Sequence, residues 1–152
     1  MASQEGHYDI VKLLIEEGPD TNWTEVSQWT PLHEAAWSGH THLVQLLVDK
    51  GADPNLTGEE DWTPLHYAAR HGREDVVKPL IDGGAEINMT DSEGRTPLHH
   101  AARWGHKGVV QLLIVSGADC NKKDVNGVTA TLIARHHGHE NIATIIEQNE
   151  AH

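Results

Sequence analysis

One phrase recurs along the sequence at a constant distance, and this repetition constrains the fold more than any other feature. The string WTPLHYAARHG at 62–72 has close counterparts 33 residues earlier, WTPLHEAAWSG at 29–39, and 33 residues later, RTPLHHAARWG at 95–105. Several single-residue columns keep the same step, namely Gly6, Gly39, Gly72, Gly105 and Gly138, then Gly18, Gly51, Gly84 and Gly117, and then Asn22, Asn55, Asn88 and Asn121. Self-similarity at such a period predicts stacked structural repeats, each of which contacts mainly its neighbours.

Each unit is expected to contain two short helices followed by a turn. In the fourth unit Thr96 can cap free backbone N–H groups, and Pro97 suits the first helical position. Gly105 accepts the left-handed backbone that ends many helices, and the largely apolar run at 109–113 predicts a second helix that ends at Gly117. Such a unit cannot bury its apolar face alone, whereas at least about three stacked units can. The sequence therefore predicts an all-α solenoid.

The order of motifs in each cycle is TPLH, AA, Gly-His, a VVxLL-type helix and GADxN, and this order resembles the ankyrin repeat. The resemblance implies a single domain over 1–152, an ankyrin-repeat solenoid of helix-turn-helix units with hairpin-like loops. The five units run approximately over 1–24, 25–57, 58–90, 91–123 and 124–152. The first unit is expected to be truncated, because its TPLH segment is missing, and the last resembles a cap, with TATL at 129–132. The family also implies a concave groove lined by the loops and by the first helix of each unit.

The composition restricts the class of partner. The formal net charge is −12, from 23 acidic and 11 basic residues, which disfavours nucleic acid and anionic membranes as partners. The longest apolar runs are four or five residues, too short to span a membrane, and no secretory signal is visible. A single cysteine excludes an internal disulfide. We expect a soluble, monomeric and intracellular protein of the cytoplasm or nucleus.

The thirteen histidines do not by themselves indicate a metal site or a catalyst. Seven occupy repeated positions: His33, His66 and His99 in TPLH, and His7, His40, His106 and His139 after the helix-ending glycine. In the ankyrin family the TPLH imidazole hydrogen-bonds backbone between neighbouring units. The string HHGHE at 136–140 lacks HExxH spacing, and neither a glycine-rich phosphate loop nor a GxSxG nucleophile motif occurs. We therefore expect no enzyme, no catalytic residue, no metal and no cofactor.

Aromatic and arginine residues are concentrated at the repeat positions that, by the family resemblance, are expected to face the groove. These columns are the loop before Thr-Pro, the residue after TPLH, and the two residues before the helix-ending glycine. They hold four of the five tryptophans and three of the five arginines, and both residue types are enriched at binding hot spots. The predicted partner-binding residues are Trp29, Trp37, Trp62, Tyr67, Arg70, His71, Arg95, His100, Arg103, Trp104 and His137. The leading hypothesis is a module that binds another protein or a peptide.

Three other interpretations stay open from the sequence. Trp29 and Trp62 flank turns, so each indole could simply cover a neighbouring hairpin or helix end. A small, nucleotide-like ligand could bind by stacking, although the acidic charge disfavours a phosphate group. Its site would be formed by Trp62, Tyr67, Arg70, Arg103 and Trp104. The chain could also be an engineered ankyrin scaffold, but irregular framework residues such as Pro54, Pro79 and Cys120 favour a natural sequence.

The hairpin loops of units two and three are expected to be irregular. Gln28 and Asp61 stand where the loops of the later units have Gly94 and Gly127. Glycine supplies the left-handed backbone that such turns need, and glutamine and aspartate supply it at a cost.

Overall fold

The computed structural model describes residues 29–150, which form four pairs of short helices. The pairs are α1 (Pro31–Ser38) and α2 (Thr41–Asp49), α3 (Pro64–His71) and α4 (Glu74–Asp82), α5 (Pro97–Trp104) and α6 (Lys107–Val115), and α7 (Ala130–His136) and α8 (Glu140–Glu150). A 3-10 turn (Glu59–Asp61) precedes α3, and no strand occurs within these residues. Helices α1, α3, α5 and α7 pack side by side as an inner row, and α2, α4, α6 and α8 pack as an outer row. The predicted all-α repeat stack is confirmed, while the first unit, 1–24, lies outside the described residues.

The first three inner helices each begin at the threonine of the repeated phrase. In α3, Thr63 has extended backbone (φ −89°, ψ 166°), and its Oγ1 accepts the backbone N–H of His66 at 3.3 Å. The backbone N–H of Thr63 in turn donates to Nδ1 of His66 at 3.1 Å. Because Nδ1 accepts this bond, the ring proton of neutral His66 lies on Nε2. Helices α1 and α5 have the same reciprocal cap, formed by Thr30 with His33 and by Thr96 with His99.

The same three histidines link each unit to the next. Their Nε2 atoms bond backbone carbonyls 29 residues further on: His33 to Trp62 at 2.9 Å, His66 to Arg95 at 3.0 Å, and His99 to Val128 at 3.0 Å. The imidazoles are at most 1% exposed, so these bonds form where an unpaired polar group would be costly. The expectation that the TPLH histidine bonds backbone between units is confirmed.

Two further sets of hydrogen bonds connect the units. Asparagine side chains donate to carbonyls 29 residues further on: Asn55 to Gly84, Asn88 to Gly117 and Asn121 to Glu150, at 3.0, 3.4 and 3.1 Å. Histidines that follow a helix-ending glycine bond back to an earlier inner helix: His106 Nε2 to the Arg70 carbonyl at 2.8 Å, and His139 Nε2 to the Arg103 carbonyl at 3.2 Å. Each junction between units is therefore held at several levels, and most of the acceptors are backbone carbonyls.

Small and branched apolar residues fill the space between the two rows. The alanine pairs of the inner helices are fully buried: Ala35, Ala36, Ala68, Ala69, Ala101 and Ala102. Their small side chains let neighbouring inner helices approach closely. Outer-row residues complete one continuous core, including Leu47, Leu80, Leu113 and Ile146. A close-packed core of this kind makes the inner row a rigid support for exposed side chains.

The hairpin before α3 is irregular, as the sequence predicts. Glu60 and Asp61 have left-handed backbone with φ of 55° and 62°, whereas the two later hairpins have Gly94 and Gly127 with φ of 74° and 77°. A non-glycine residue in this region costs about 1–2 kcal/mol. The corresponding prediction for the loop at Gln28 lies outside the described residues.

Substitutions at the equivalent turn positions Asp61 and Gly94 should change the free energy of unfolding in opposite directions. Asp61→Gly removes a strained backbone, and we expect the free energy of unfolding to rise by about 0.5–1 kcal/mol after the entropy of glycine is counted. Gly94→Ala should lower it by more than about 1 kcal/mol, because an added Cβ would lie 2.9 Å from the backbone nitrogen of Val125. Urea unfolding followed by circular dichroism measures both changes. A less stable Asp61→Gly variant would refute the strain at this turn.

The histidine links make stability depend on pH. Burial lowers the pKa of His33, His66 and His99 below 6.5, and for His66 burial and the nearby His100 lower the pKa to about 4. Above about pH 6.5 these histidines are neutral in both the folded and the unfolded chain, so their contribution to stability is complete. Between about pH 6.5 and about pH 4 the unfolded chain binds a proton at His66 that the folded chain does not, and His33 and His99 contribute in the same direction between about pH 6.5 and their lowered pKa values. We expect the free energy of unfolding to fall there by up to about 1.4 kcal/mol per pH unit for each histidine.

Urea titrations at a series of pH values from about 7.5 to about 4.5 measure this decline. The lowered pKa values of Asp91 and Asp124 also cost stability as the pH falls, but mainly once it approaches the ordinary aspartate pKa of about 3.9, below this range. An unfolding free energy that stays constant over this range would show that the three imidazoles are not kept neutral by the fold.

Candidate partner-binding surface

The two residues that precede each helix-ending glycine form a strip across the inner row. The strip, called the inner strip below, consists of Trp37–Ser38, Arg70–His71, Arg103–Trp104 and His136–His137. Trp37 is 36% exposed and Trp104 is 47% exposed, which makes them the two exposed tryptophans within residues 29–150. Arg70, His71 and His137 are also exposed, and Arg103 is half-buried. The stacking of the units thus brings six of the predicted binding residues onto one surface.

Two arginines of the inner strip lie against the same indole. The Cζ atom of Arg70 is 5.3 Å from the ring centroid of Trp104, and that of Arg103 is 5.4 Å from it. Arg70 also lies 5.6 Å from the ring centroid of Trp62. At these distances a guanidinium is attracted by the electron-rich face of the ring. Trp104 therefore holds two positive charges near each other on adjacent units.

Two histidines of the inner strip, His71 and His137, have lowered pKa values and are therefore neutral at physiological pH. Partial burial lowers the pKa of His71, and the positive charges of Arg70 and Arg73 lower it further. The pKa of His137 is lowered by desolvation and then by the charge of Arg103. The arginines of the strip keep their positive charge at pH 7.

Trp62 and His100 do not face solvent, which corrects the expectation that both offer side chains directly to a partner. Trp62 is 8% exposed and His100 is 4% exposed. Their ring centroids are 4.3 Å apart, and the ring centroid of Tyr67, in the same unit as Trp62, lies 4.8 Å from that of Trp62. The alternative in which Trp62 covers a neighbouring helix and hairpin describes its position better. Arg70 lies over the ring of Trp62, and Trp62 and His100 line the pocket beside it instead of being exposed contacts.

Asp91 joins His100 to the hairpin of the fourth unit. Its Oδ2 is 2.8 Å from Nε2 of His100, and its Oδ1 accepts the backbone N–H groups of Glu93 at 2.9 Å and Arg95 at 3.0 Å. Burial alone would raise the pKa of Asp91, but the bonds from His100, Arg95 and Glu93 outweigh it and hold the pKa below 3.8. Sequence reasoning missed this role. The available signal was the Asp-x-x-Gly spacing that Asp91 shares with Asp124.

The remaining predicted residues are engaged within the hairpins and inner helices. Arg95 is half-buried and forms ion pairs with Glu93 at 2.6 Å and with Asp124 at 3.5 Å, so it connects two hairpins. Trp29 is half-buried, and its Nε1 donates to Glu34 at 2.9 Å. Tyr67 lies between Trp29 and Trp62, with its ring centroid 4.9 Å from that of Trp29. These side chains support the inner strip and lie at its edge.

Two pockets open between the hairpins and the inner helices. A pocket of about 200 Å³ is lined by Glu60, Trp62, Arg70, Asp91, Glu93, Arg95, His100, Arg103 and Trp104. A neighbouring pocket of about 370 Å³ is lined by Arg95, Arg103, Asp124, Asn126, Val128, Leu132, Ile133, His136 and His137. In the first pocket the ring of Trp62 already contacts Tyr67, His100 and Arg70. A nucleobase could not stack on this indole without displacing one of them, which argues against the nucleotide-like alternative.

His66, Asp91 and His100 are the residues within 29–150 that could hold a metal ion, since their ligand atoms lie within 4.8 Å of one another. Both ring nitrogens of His66 are already used, Nδ1 by the backbone N–H of Thr63 and Nε2 by the carbonyl of Arg95. An ion bound there would break the link between units three and four. The cluster is therefore best explained as part of the framework.

Replacing His100 should show how much its hydrogen bond to the buried carboxylate of Asp91 stabilises the fold. His100→Phe keeps an aromatic ring against Trp62 but leaves Oδ2 of Asp91 without its partner, and we expect a loss of about 1–3 kcal/mol in unfolding free energy. Tyr67→Phe is the matched control, because Tyr67 occupies the same column one unit earlier, and it should cost less than about 0.5 kcal/mol. Urea unfolding measures both variants. Equal effects of the two substitutions would contradict a bonded role for His100.

A family model described as "Ankyrin repeats (3 copies)" matches the chain over residues 1–91, 42–124 and 76–152, which together span its whole length. Comparison with curated proteins gave no match. Among the described helices, none is both long enough and apolar enough to cross a membrane.

Proposed function

The chain belongs to the ankyrin-repeat family, and from this premise we propose that it is a non-catalytic module that binds another protein or a peptide along the inner strip. Repeats of this family are generally protein–protein interaction modules and typically have no catalytic role. The observation that carries the proposal is the pair of exposed indoles, Trp37 and Trp104, on a surface held rigid by the links between units.

The energetics of the exposed indoles support a partner. A large aromatic ring left in water contributes nothing to the fold, whereas its burial at an interface contributes strongly, and tryptophan and arginine dominate binding hot spots. Trp37 and Trp104 lie at corresponding helix ends two units apart, with His71 in T-shaped contact with Trp37 between them, at 5.9 Å between ring centroids. A partner that spans these units would cover both indoles at once.

The rigidity of the inner row also supports binding. Arg70 and Arg103 have their backbone carbonyls bonded to His106 and His139, so the helix ends that carry the strip are fixed before a partner arrives. Preformed surfaces lose little conformational entropy on binding. The proposed contact residues are Trp37, Arg70, His71, Arg103, Trp104 and His137, and the supporting residues are Trp29, Trp62, Tyr67, Arg95 and His100.

We also propose that the module acts as a monomer inside the cell. The net charge of −12 argues against nucleic acid as the partner. Cys120 is 5% exposed and burial raises the pKa of its thiol, so it is a poor candidate for pairing two copies through a disulfide.

Affinity capture tests whether the inner strip is the binding surface. We expect the chain to enrich a specific protein from a cell lysate, and the double variant Trp37→Ala, Trp104→Ala to recover at least about tenfold less of it, because each lost indole removes about 1–2 kcal/mol or more. The matched control is Gln111→Ala, Val115→Ala, which truncates two exposed residues of the outer helix α6 and should capture as well as the unaltered chain. Quantitative mass spectrometry of the captured proteins gives the ratio.

Circular dichroism first establishes that both double variants keep the helical content of the unaltered chain. Equal capture by all three proteins would remove the inner strip as the binding surface. If only the outer-row control variant failed to capture the partner, the binding surface would lie on the outer helices instead.

A further inference from the structure

Arg70 and Arg103 differ from the other arginines in how their guanidinium groups are used. Arg95 and Arg135 form ion pairs with carboxylates, and Nε of Arg73 donates to the carbonyl of Trp37 at 3.2 Å. The guanidinium nitrogens of Arg70 and Arg103 make neither a hydrogen bond nor an ion pair with any group in residues 29–150. Two fully charged donors are thus left without acceptors on one surface of a chain whose formal net charge is −12.

Their geometry leaves the donors available. Each guanidinium lies over the ring of Trp104, with its Cζ atom 5.3 Å or 5.4 Å from the ring centroid, and such a contact uses none of the N–H groups as hydrogen-bond donors. The N–H groups point along the edge of that plane and stay free to bond an oxyanion in a forked arrangement. The backbones of both residues are fixed by His106 and His139, and both guanidinium groups contact the same indole.

We propose that Arg70 and Arg103 bind the side-chain carboxylate of an acidic segment in the partner protein, with Trp104 packing against the aliphatic part of that segment. The proposal rests on the proposed function, since it assigns the chemistry of the partner at the inner strip. Charge complementarity is the reason for an acidic partner, because Arg70 and Arg103 are cations of the strip whose guanidinium groups have no acceptor within residues 29–150.

The pocket beside these arginines favours a carboxylate over a phosphate. Glu60, Asp91 and Glu93 line it together with the arginines. Glu93 is paired with Arg95, and the oxygens of Asp91 accept bonds from His100 and the backbone, whereas the carboxylate of Glu60 has no such bond within residues 29–150. Interaction with the charges of the site grows in proportion to the charge of the ligand, whereas the cost of removing an anion from water grows with the square of that charge, so a phosphate dianion loses more on entering than a single carboxylate does. The acceptor that suits the site is therefore the monoanionic group of aspartate or glutamate.

Peptide selection followed by calorimetry tests the proposal. Short random peptides displayed on phage are selected against the full chain, and we expect the recovered sequences to be enriched in aspartate and glutamate. One recovered peptide is then synthesised in three forms, with its acidic residue kept, replaced by glutamine, and replaced by phosphoserine. We expect the glutamine form to bind at least about tenfold more weakly, as the loss of a charge-assisted bidentate contact requires.

Variants of the chain locate the contact. Arg70→Gln, Arg103→Gln should weaken the acidic peptide at least about tenfold and leave the glutamine peptide unchanged within about twofold. The matched control is Lys78→Gln, Lys107→Gln. It removes an equal number of positive charges, two, from the outer row and should change the dissociation constant by less than about twofold. A control variant that weakens binding equally would overturn the local contact in favour of a general charge effect.

The outcomes separate this inference from the proposed function. Peptides that lack acidic enrichment but lose affinity in Trp37→Ala, Trp104→Ala would overturn the carboxylate site and leave the inner strip as the binding surface. Acidic peptides that bind all variants equally would overturn both the carboxylate site and the inner strip as the binding surface. Tighter binding of the phosphoserine form, by at least about tenfold, would overturn the carboxylate assignment in favour of a phosphorylated partner.

Discussion

A neutral imidazole that bridges two units is the contact on which the rest of the structure depends. Nδ1 of His66 accepts from the start of its own helix and Nε2 donates to the next unit, so one side chain both caps a helix and fixes its distance from a neighbour. Burial prevents water from replacing either bond. Two short helices bury too little apolar area to fold alone, so the stability of each unit is inseparable from that of its neighbours.

The carbonyls that accept the links between units belong to residues whose side chains are not part of the framework. His106 bonds the carbonyl of Arg70, and His139 bonds that of Arg103. Almost any residue supplies a backbone carbonyl, so the framework does not constrain which side chain stands at these positions. The same bonds hold the helix ends in place. A surface can therefore vary in chemistry from one such protein to another while staying rigid in each.

Features that are determined within a single unit, or that recur in every unit, could be predicted from the sequence. The helix starts, the helix-ending glycines and the histidine links repeat with the period, and the strained turn at Asp61 followed from the missing glycine. The burial of Trp62 could not be predicted, because it depends on a combination of columns in two units. His100 lies beneath Trp62, whereas Trp29, in the equivalent column, packs against Tyr67 and stays half-buried.

The charge of the whole chain and the charge of the inner strip have opposite signs, and this limits how an acidic partner can be recognised. Salt screens exposed charges beyond about 8 Å at physiological ionic strength, so the net charge of −12 repels a short acidic segment only weakly at a distance, whereas a nucleic acid would need many more basic contacts than this chain supplies. Long-range steering is therefore weak, and selectivity has to arise in contact, where donors with fixed geometry act over hydrogen-bond distances. Arg70 and Arg103 meet that condition because Trp104 orients both guanidinium groups and no carboxylate within residues 29–150 neutralises them.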